Sequence, residues 1–385
     1  MIRLFAILSL SLLAQTSWGS QWIQRADFGG VGRHRGTAIS IGTKGYMGLG
    51  HYNGAGPNII LADWWEYDPA TNAWTQKADY TGNGSTGNYA VLAFGMENFG
   101  FVGGGQVAST TTFMKYTPAT NTWTPVANMP TVAMNTQGFA IGNKGYYLSG
   151  NIVYEYDASL DSWSVKNNAP FSVGIWNSTF VVDGKGYVKF SNQLWEYKPT
   201  TDQWAARAPL PSNAIATAGS IAFSQHNRGY IVTGYGGWLS NVTKQVWEYD
   251  VATNSWDSLP EFLGTARRFS SAFQVGQRCF LGTGTNGTNF ADLWEFDKYA
   301  NLKEMFNKNK FACYPNPAVD EIHFTSENLN DFEILLYDPI GRLVSEHSTK
   351  NKTITIYREN MIAGYYFYQV RSNHQIVHTG KFIFK

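Results

Sequence analysis

The sequence predicts an all-β chain in two parts, a six-bladed β-propeller followed by a small antiparallel β-sandwich. Three observations lead there. A ten-residue signature, Trp65-Glu66-Tyr67-Asp68-Pro69-Ala70-Thr71-Asn72-Ala73-Trp74, recurs along most of the 385 residues. The composition is rich in Gly (39) and aromatics (16%) and poor in charge (15%, against about 25% in an average globular chain). Short, tightly turned strands around an aromatic core have that composition. The last stretch abandons the signature for a different strand-and-turn pattern. Disorder is excluded by a hydrophobic fraction of 43%. Lys+Arg 29 against Asp+Glu 28 gives no basic excess for nucleic acid.

The first element is a leader. Met1-Ile2-Arg3 precedes an apolar run from Leu4 to Leu13, and Ser17 and Gly19 are small residues of the kind a signal peptidase reads. Residues 1–19 therefore read as a secretory signal peptide. The run is too short to cross a bilayer, which needs about 20 apolar residues, and no membrane span is expected in the mature chain. The two cysteines, Cys279 and Cys313, cannot staple a chain of this size. Cys279 falls inside a strand pattern and reads as a buried thiol, with a bridge to Cys313 left open.

The repeat follows over residues 20–303. The signature returns as Met114 to Trp123, Tyr154 to Trp163, Trp195 to Trp204 and Trp247 to Trp256. A sixth copy opens at Trp294 but has Lys303 where its second landmark should be. Trp22 is the matching orphan. Successive terminal landmarks lie 52, 49, 40, 41 and 52 residues apart, a period of blades or solenoid units. Ahead of each signature stand two more strand patterns joined by a tight turn, as in Gly36 to Gly50. Each unit thus has four strands, a to d, with the signature on c and d. Trp22 is expected to supply strand d of blade six and so close the ring, leaving no open edge.

These units resemble kelch repeats over about Gln21 to Lys303, which implies a kelch-like propeller. The Tyr-Asp…Trp half carries the resemblance, while the double glycine survives best as Gly103-Gly104. After a polar linker at 304–312, residues 313–385 carry Tyr314-Pro315-Asn316-Pro317, Ile334 to Val344, Gly364 to Val370 and a basic end at Lys385. By pattern alone this is a small β-sandwich. The motifs resemble the type A C-terminal sorting domain of the type IX secretion system of Bacteroidetes. That resemblance implies the secretion machinery as a partner, export across the outer membrane, and release or attachment at the cell surface.

Little points to catalysis. The propeller has three histidines, His34, His51 and His226, with no metal-ligand spacing. No GxSxG or phosphate-cradling loop is present. No catalytic residue, metal site or cofactor is therefore expected. Glu66, Glu155, Glu196, Glu248 and Glu295 recur at one blade position, as structural partners would. The residues the repeat does not explain are more informative. Long b–c segments fall in blades five, six and one, which become neighbours when the ring closes. Arg33, His34, Arg35 and His51 in blade one, Trp176 in blade four, Trp238 in blade five, and Arg267 and Arg268 in blade six converge on the same face. Arg supplies charge-assisted bonds and Trp a flat apolar surface, which suits a glycan, an anionic glycan or an acidic peptide. The expected function is a secreted or surface recognition propeller that binds a glycan or a protein. The alternatives are a sugar-modifying enzyme on the same fold, such as a sialic-acid mutarotase-like protein, and a purely structural surface protein.

Overall fold

The computed structural model describes residues 22–53, 58–107, 110–174, 176–216, 218–298, 311–372 and 375–385. The expected signal peptide and most of the expected linker lie outside these residues. The chain divides into two compact units, with the boundary between Asp297 and Lys298.

The first unit is a ring of six four-stranded antiparallel sheets. Blade one has strands a to d at Thr37–Ile41, Lys44–Gly48, Trp64–Asp68 and Ala73–Lys77. Blade two follows with Leu92–Gly95, Gly100–Gly103, Phe113–Thr117 and Thr122–Val126. Blade three has Phe139–Ile141, Lys144–Ser149, Ile152–Asp157 and Ser162–Val165. Blade four has Ser178–Val182, Lys185–Phe190, Gln193–Lys198 and Gln203–Arg207. Blade five has Ile221–Gln225, Arg228–Val232, Val246–Asp250 and Ser255–Leu259. Blade six takes strands a to c from Ser271–Val275, Arg278–Gly282 and Leu293–Phe296. Its fourth strand is Trp22–Arg25, from the start of the ring, in the register Trp22↔Phe296 to Arg25↔Leu293. Trp22 is buried against Phe223, Phe262 and Phe296.

The signature explains how neighbouring blades are stitched. The strand-c tyrosine hydroxyls of Tyr67, Tyr116, Tyr156, Tyr197 and Tyr249 each donate to a side-chain oxygen five residues on, at Asn72, Asn121, Asp161, Asp202 and Asn254. Each of those oxygens also accepts a backbone N–H from an adjacent blade, at Ala26, Ala78, Ala127, Asn167 and Ala208. The Nε1 groups of Trp74, Trp123, Trp163 and Trp256 donate to the carbonyls of the same adjacent segments. One Asn or Asp therefore terminates its own hairpin in a left-handed conformation and ties the next blade. The recurring glutamates are consumed similarly. Glu66 accepts from Tyr46 and pairs with Lys77, Glu196 accepts from Tyr187 and pairs with Arg207, and Glu295 pairs with Arg25 and Arg278. Strands a converge on the axis, where only small side chains fit. Ala38, Ala93, Ala140, Val181, Ala222 and Ala272 ring a channel segment of about 220 Å³.

The second unit is the sandwich. One sheet has the order Phe311–Tyr314, Glu321–Ser326, Thr353–Tyr357. The other has Leu343–Thr349, Phe332–Tyr337, Gly364–Ser372, Gln375–Phe384. Alternating residues such as Ile322, Phe324, Ile334, Leu336, Tyr368 and Phe382 form its core. Its first strand begins two residues before Cys313, at the end of the expected linker. Cys279 and Cys313 are both free thiols. Burial raises the Cys279 thiol well above its ordinary pKa and pushes Cys313 up to about 11, so neither is a reactive thiolate at neutral pH.

Candidate functional site: the mouth of the propeller

The segment entering strand a in each blade places one residue in the left-handed region: Arg35, Ala90, Asn135, Trp176, Gly219 and Phe269. Backbone hydrogen bonds run from one to the next around the axis. Ala90 N donates to Arg35 O (2.8 Å), Asn135 N to Ala90 O (2.9 Å) and Trp176 N to Asn135 O (2.6 Å). On the other side Arg35 N donates to Phe269 O (3.1 Å) and Phe269 N to Gly219 O (2.9 Å). Five of these six residues are not glycine, so the left-handed backbone is strained and is held by this chain of five bonds. Strain of this kind clusters at ligand sites. All six residues line a cavity of about 60 Å³ at the axis.

The four arginines near this mouth have two different fates. Arg33 and Arg267 are fully buried. Arg33 donates to both carboxylate oxygens of Asp63 (2.5 and 2.7 Å), to Leu49 O and to Val31 O. Arg267 does the same with Asp292 (2.5 and 2.7 Å), Thr283 O and Thr265 O. Trp65 and Trp294 Nε1 donate to those same carboxylates. Arg33 and Arg267 are thus tied into the scaffold, each with four of its five N–H donors on protein oxygens, which leaves little for the ligand contact expected of them. Arg35 and Arg268 have no carboxylate partner among the described residues. The Arg35 guanidinium carbon lies 4.8 Å from the Trp176 ring centroid and 4.7 Å from that of Phe269. Its buried Nε has no hydrogen-bond partner. Arg268 also lies over Phe269 and donates to Leu239 O at 2.5 Å. Burial lowers the pKa of both guanidiniums, which stay charged but are poorly solvated.

His34 and His51 join the same neighbourhood through the paired segments His34↔His51. Their rings are 4.1 Å apart, and His51 stacks on Tyr89 at 4.4 Å. His34 Nδ1 donates to Asn289 Oδ1 at 2.7 Å. Burial first, then the neighbouring cations, pull His34 down to about 3 and His51 to about 4, so both are neutral imidazoles at neutral pH. Trp238 is 82% exposed in the blade-five b–c loop, next in sequence to Leu239, whose carbonyl accepts from Arg268. The structure therefore brings together Arg35, Trp176, Arg268, His34 and His51, with Trp238 at the rim.

Sequence reasoning missed Phe269, which touches Trp176 (4.3 Å between centroids) and both free arginines. It also missed the distinction between adjacent arginines. A signal for the latter exists: Asp63-x-Trp65 and Asp292-x-Trp294 occur in the two blades that carry Arg33 and Arg267. Blades four and five have Gln193-x-Trp195 and Gln245-x-Trp247 instead. Among the described residues no group of histidine, cysteine or carboxylate side chains could hold a metal ion. No described helix is long and apolar enough to cross a membrane.

Comparison with solved structures gives similarity to 764 chains, so the fold by itself selects no activity. One of them is described as the structure of YjhT. It shares 16% identity, has a TM-score of 0.58, and the match covers 70% of this chain and 95% of that one. No curated protein sequence matches. Residues 312–385 match the family described as the secretion system C-terminal sorting domain. Ring and tail together define the class, a β-propeller followed by a secretion-system sorting domain. The C-terminal segment is a sorting domain of the type IX secretion system, which addresses the chain for export.

Proposed function

We propose that the propeller is a recognition module that binds a carboxylate-bearing glycan at its mouth, after export to the outer cell surface or the medium. One observation carries this reading. Arg35 is a desolvated cation held between Trp176 and Phe269, beside Arg268, with no carboxylate among the described residues to neutralise either. An anionic ligand fits such a pair, and the aromatic edges and exposed Trp238 suit the flat faces of sugar rings. The test is an array of carboxylated, sulfated and neutral glycans together with acidic peptides, probed with the full chain. Retention of carboxylated glycans over their neutral counterparts is expected, weakening with salt. Equal retention of neutral and carboxylated glycans would contradict the reading, and retention of acidic peptides alone would move it to a protein partner.

A second reading is a sugar-modifying enzyme on this face. Its support is the buried pair of neutral imidazoles, His34 and His51, next to Arg35 and Arg268. A neutral imidazole can relay a proton, but a pKa of about 3 to 4 makes it a weak base. NMR of anomer exchange in a bound carboxylated sugar separates the two readings. Exchange faster than in buffer, lost in His51→Phe, would favour the enzyme.

A further inference from the structure

Blade four departs from blades one, two, five and six at one buried position. The residue of strand b that pairs with the first residue of strand a is Gly48 in blade one, Gly103 in blade two, Val232 in blade five and Gly282 in blade six. In blade four it is Lys189, opposite Ser178. Lys189 is fully buried. Its Nζ lies 2.5 Å from Ala216 O and 3.3 Å from Ser220 Oγ, and among the described residues it has no carboxylate partner. Ser220 Oγ is 2.8 Å from Ser178 Oγ, and Ser178 also donates to the Ser220 carbonyl at 3.0 Å. Ser220 is not merely internal, because it lines the axial cavity together with Arg35.

A buried ammonium with one carbonyl and one hydroxyl for partners is a poor structural device, since an apolar side chain would fill the same space without the desolvation penalty. As an amine the same group is well placed. Nζ donates to Ala216 O, and the free amine can turn its lone pair to Ser220 Oγ, 3.3 Å away, once that hydroxyl releases Ser178. Burial alone pulls the amine down to about 7, so the lone pair is available near neutral pH.

We propose that Ser220 is a nucleophile and Lys189 its general base, giving the propeller a hydrolytic activity on short-chain O-acyl esters. Ser220 Oγ attacks the ester carbonyl and its proton passes to Nζ. The adduct collapses, the carbon–oxygen bond to the alcohol breaks, and the alcohol leaves with the proton from Nζ. Water then gives a proton to the same amine and attacks the acyl-serine. Carboxylic acid is released and Ser220 is restored. Arg35 faces the same cavity and supplies positive charge for the oxyanion. The free space beside Ser220, about 60 Å³, favours a small acyl group. This activity goes beyond the recognition reading and does not depend on it.

The experiment uses the full chain, a fluorophosphonate probe with peptide mapping, and p-nitrophenyl acetate as substrate. A single adduct at Ser220 is expected, with labelling that rises with pH about a midpoint near 7. Ser220→Ala should reduce ester hydrolysis to background, and Lys189→Met should slow labelling by about 100-fold or more. Absence of a Ser220 adduct on the folded wild-type protein would overturn the proposal. So would a folded Lys189→Met variant that labels at the wild-type rate. Should that variant not fold, the wild-type profile decides, and a rate flat from pH 5 to about 9 overturns the assignment. Glycan retention is read separately on the array, so failure of one assignment leaves the other standing.

Discussion

Blades six and one and blade four are built from the same four strands, yet they treat buried cations in opposite ways. In blades six and one, Arg267 and Arg33 are buried with a bidentate carboxylate each, so the cation completes the fold. Arg268, the next residue, and Arg35, two residues on, have no carboxylate among the described residues and line the mouth. In blade four the cation is buried with no carboxylate partner among the described residues, against the hydroxyl of Ser220, which lines the same mouth. Burial by itself therefore does not assign a role. What the charge is paired with does, because a paired buried ion is scaffold and an unpaired one near a cavity is chemistry waiting for a partner.

Substitutions break or sharpen this contrast. The largest effect is expected from Arg33→Ala and Arg267→Ala, each of which strands a carboxylate and should destabilise the ring by about 3–5 kcal/mol in chemical denaturation. A loss under about 1 kcal/mol would return these residues to the surface class. Trp22→Ala should weaken closure of the ring by about 3–5 kcal/mol, through loss of the aromatic contacts to Phe223, Phe262 and Phe296. An unchanged thermal midpoint would mean that the terminal strand is dispensable.

Lys189→Met should change stability with the opposite sign, by about 1–4 kcal/mol in favour of the variant at and below pH 7. The folded pKa of Lys189 is lowered to about 7 from an ordinary 10.5, so from pH 7 to 10.5 the unfolded chain holds the extra proton. Wild-type stability therefore rises with pH in that window and the gap to Lys189→Met narrows. A gap independent of pH would contradict the buried amine. The histidines act at lower pH by the same rule. Their lowered pKa values make the unfolded chain bind protons first as pH falls from 6.5 toward 4, so the ring loses stability there. His51→Phe should flatten that slope, and an unaltered melting curve against pH would show that His51 is not buried neutral. The smallest effect is expected from Trp238→Ala, within about 0.5 kcal/mol on stability because the side chain is exposed, with any loss confined to glycan retention.

The architecture was legible in the sequence because the signature is itself the stitching. Tyr67 with Asn72 and Trp74 performs one job in its blade, and a stitch repeated in five of the six blades leaves a period. Closure was legible for the same reason, as Trp22 and Trp294 are two halves of one copy. The glutamates were correctly read as structural from their repetition. The mouth was only half legible. Convergence of Arg35, Arg268 and Trp176 follows from where strands a begin, but Arg33 and Arg35 differ by two positions and no local pattern tells which side chain turns inward. That choice is made by Asp63, thirty residues away. Lys189 was passed over because it replaces a glycine in a degenerate repeat, where its burial depends on the following blade. Phe269 shows no periodic signal, since its left-handed backbone at the axis is a tertiary feature.

The central claim is that Arg35 belongs to the ligand and Arg33 to the fold. Glycan-array retention of wild type and Arg35→Ala, measured beside their melting temperatures, tests it most directly. The account predicts that Arg35→Ala melts within about 4 °C of wild type, while retention of carboxylated glycans falls by the equivalent of about 2 kcal/mol or more. A variant that melts far earlier yet retains carboxylated glycans as well as wild type, per folded molecule, would contradict it and make Arg35 one more scaffold arginine.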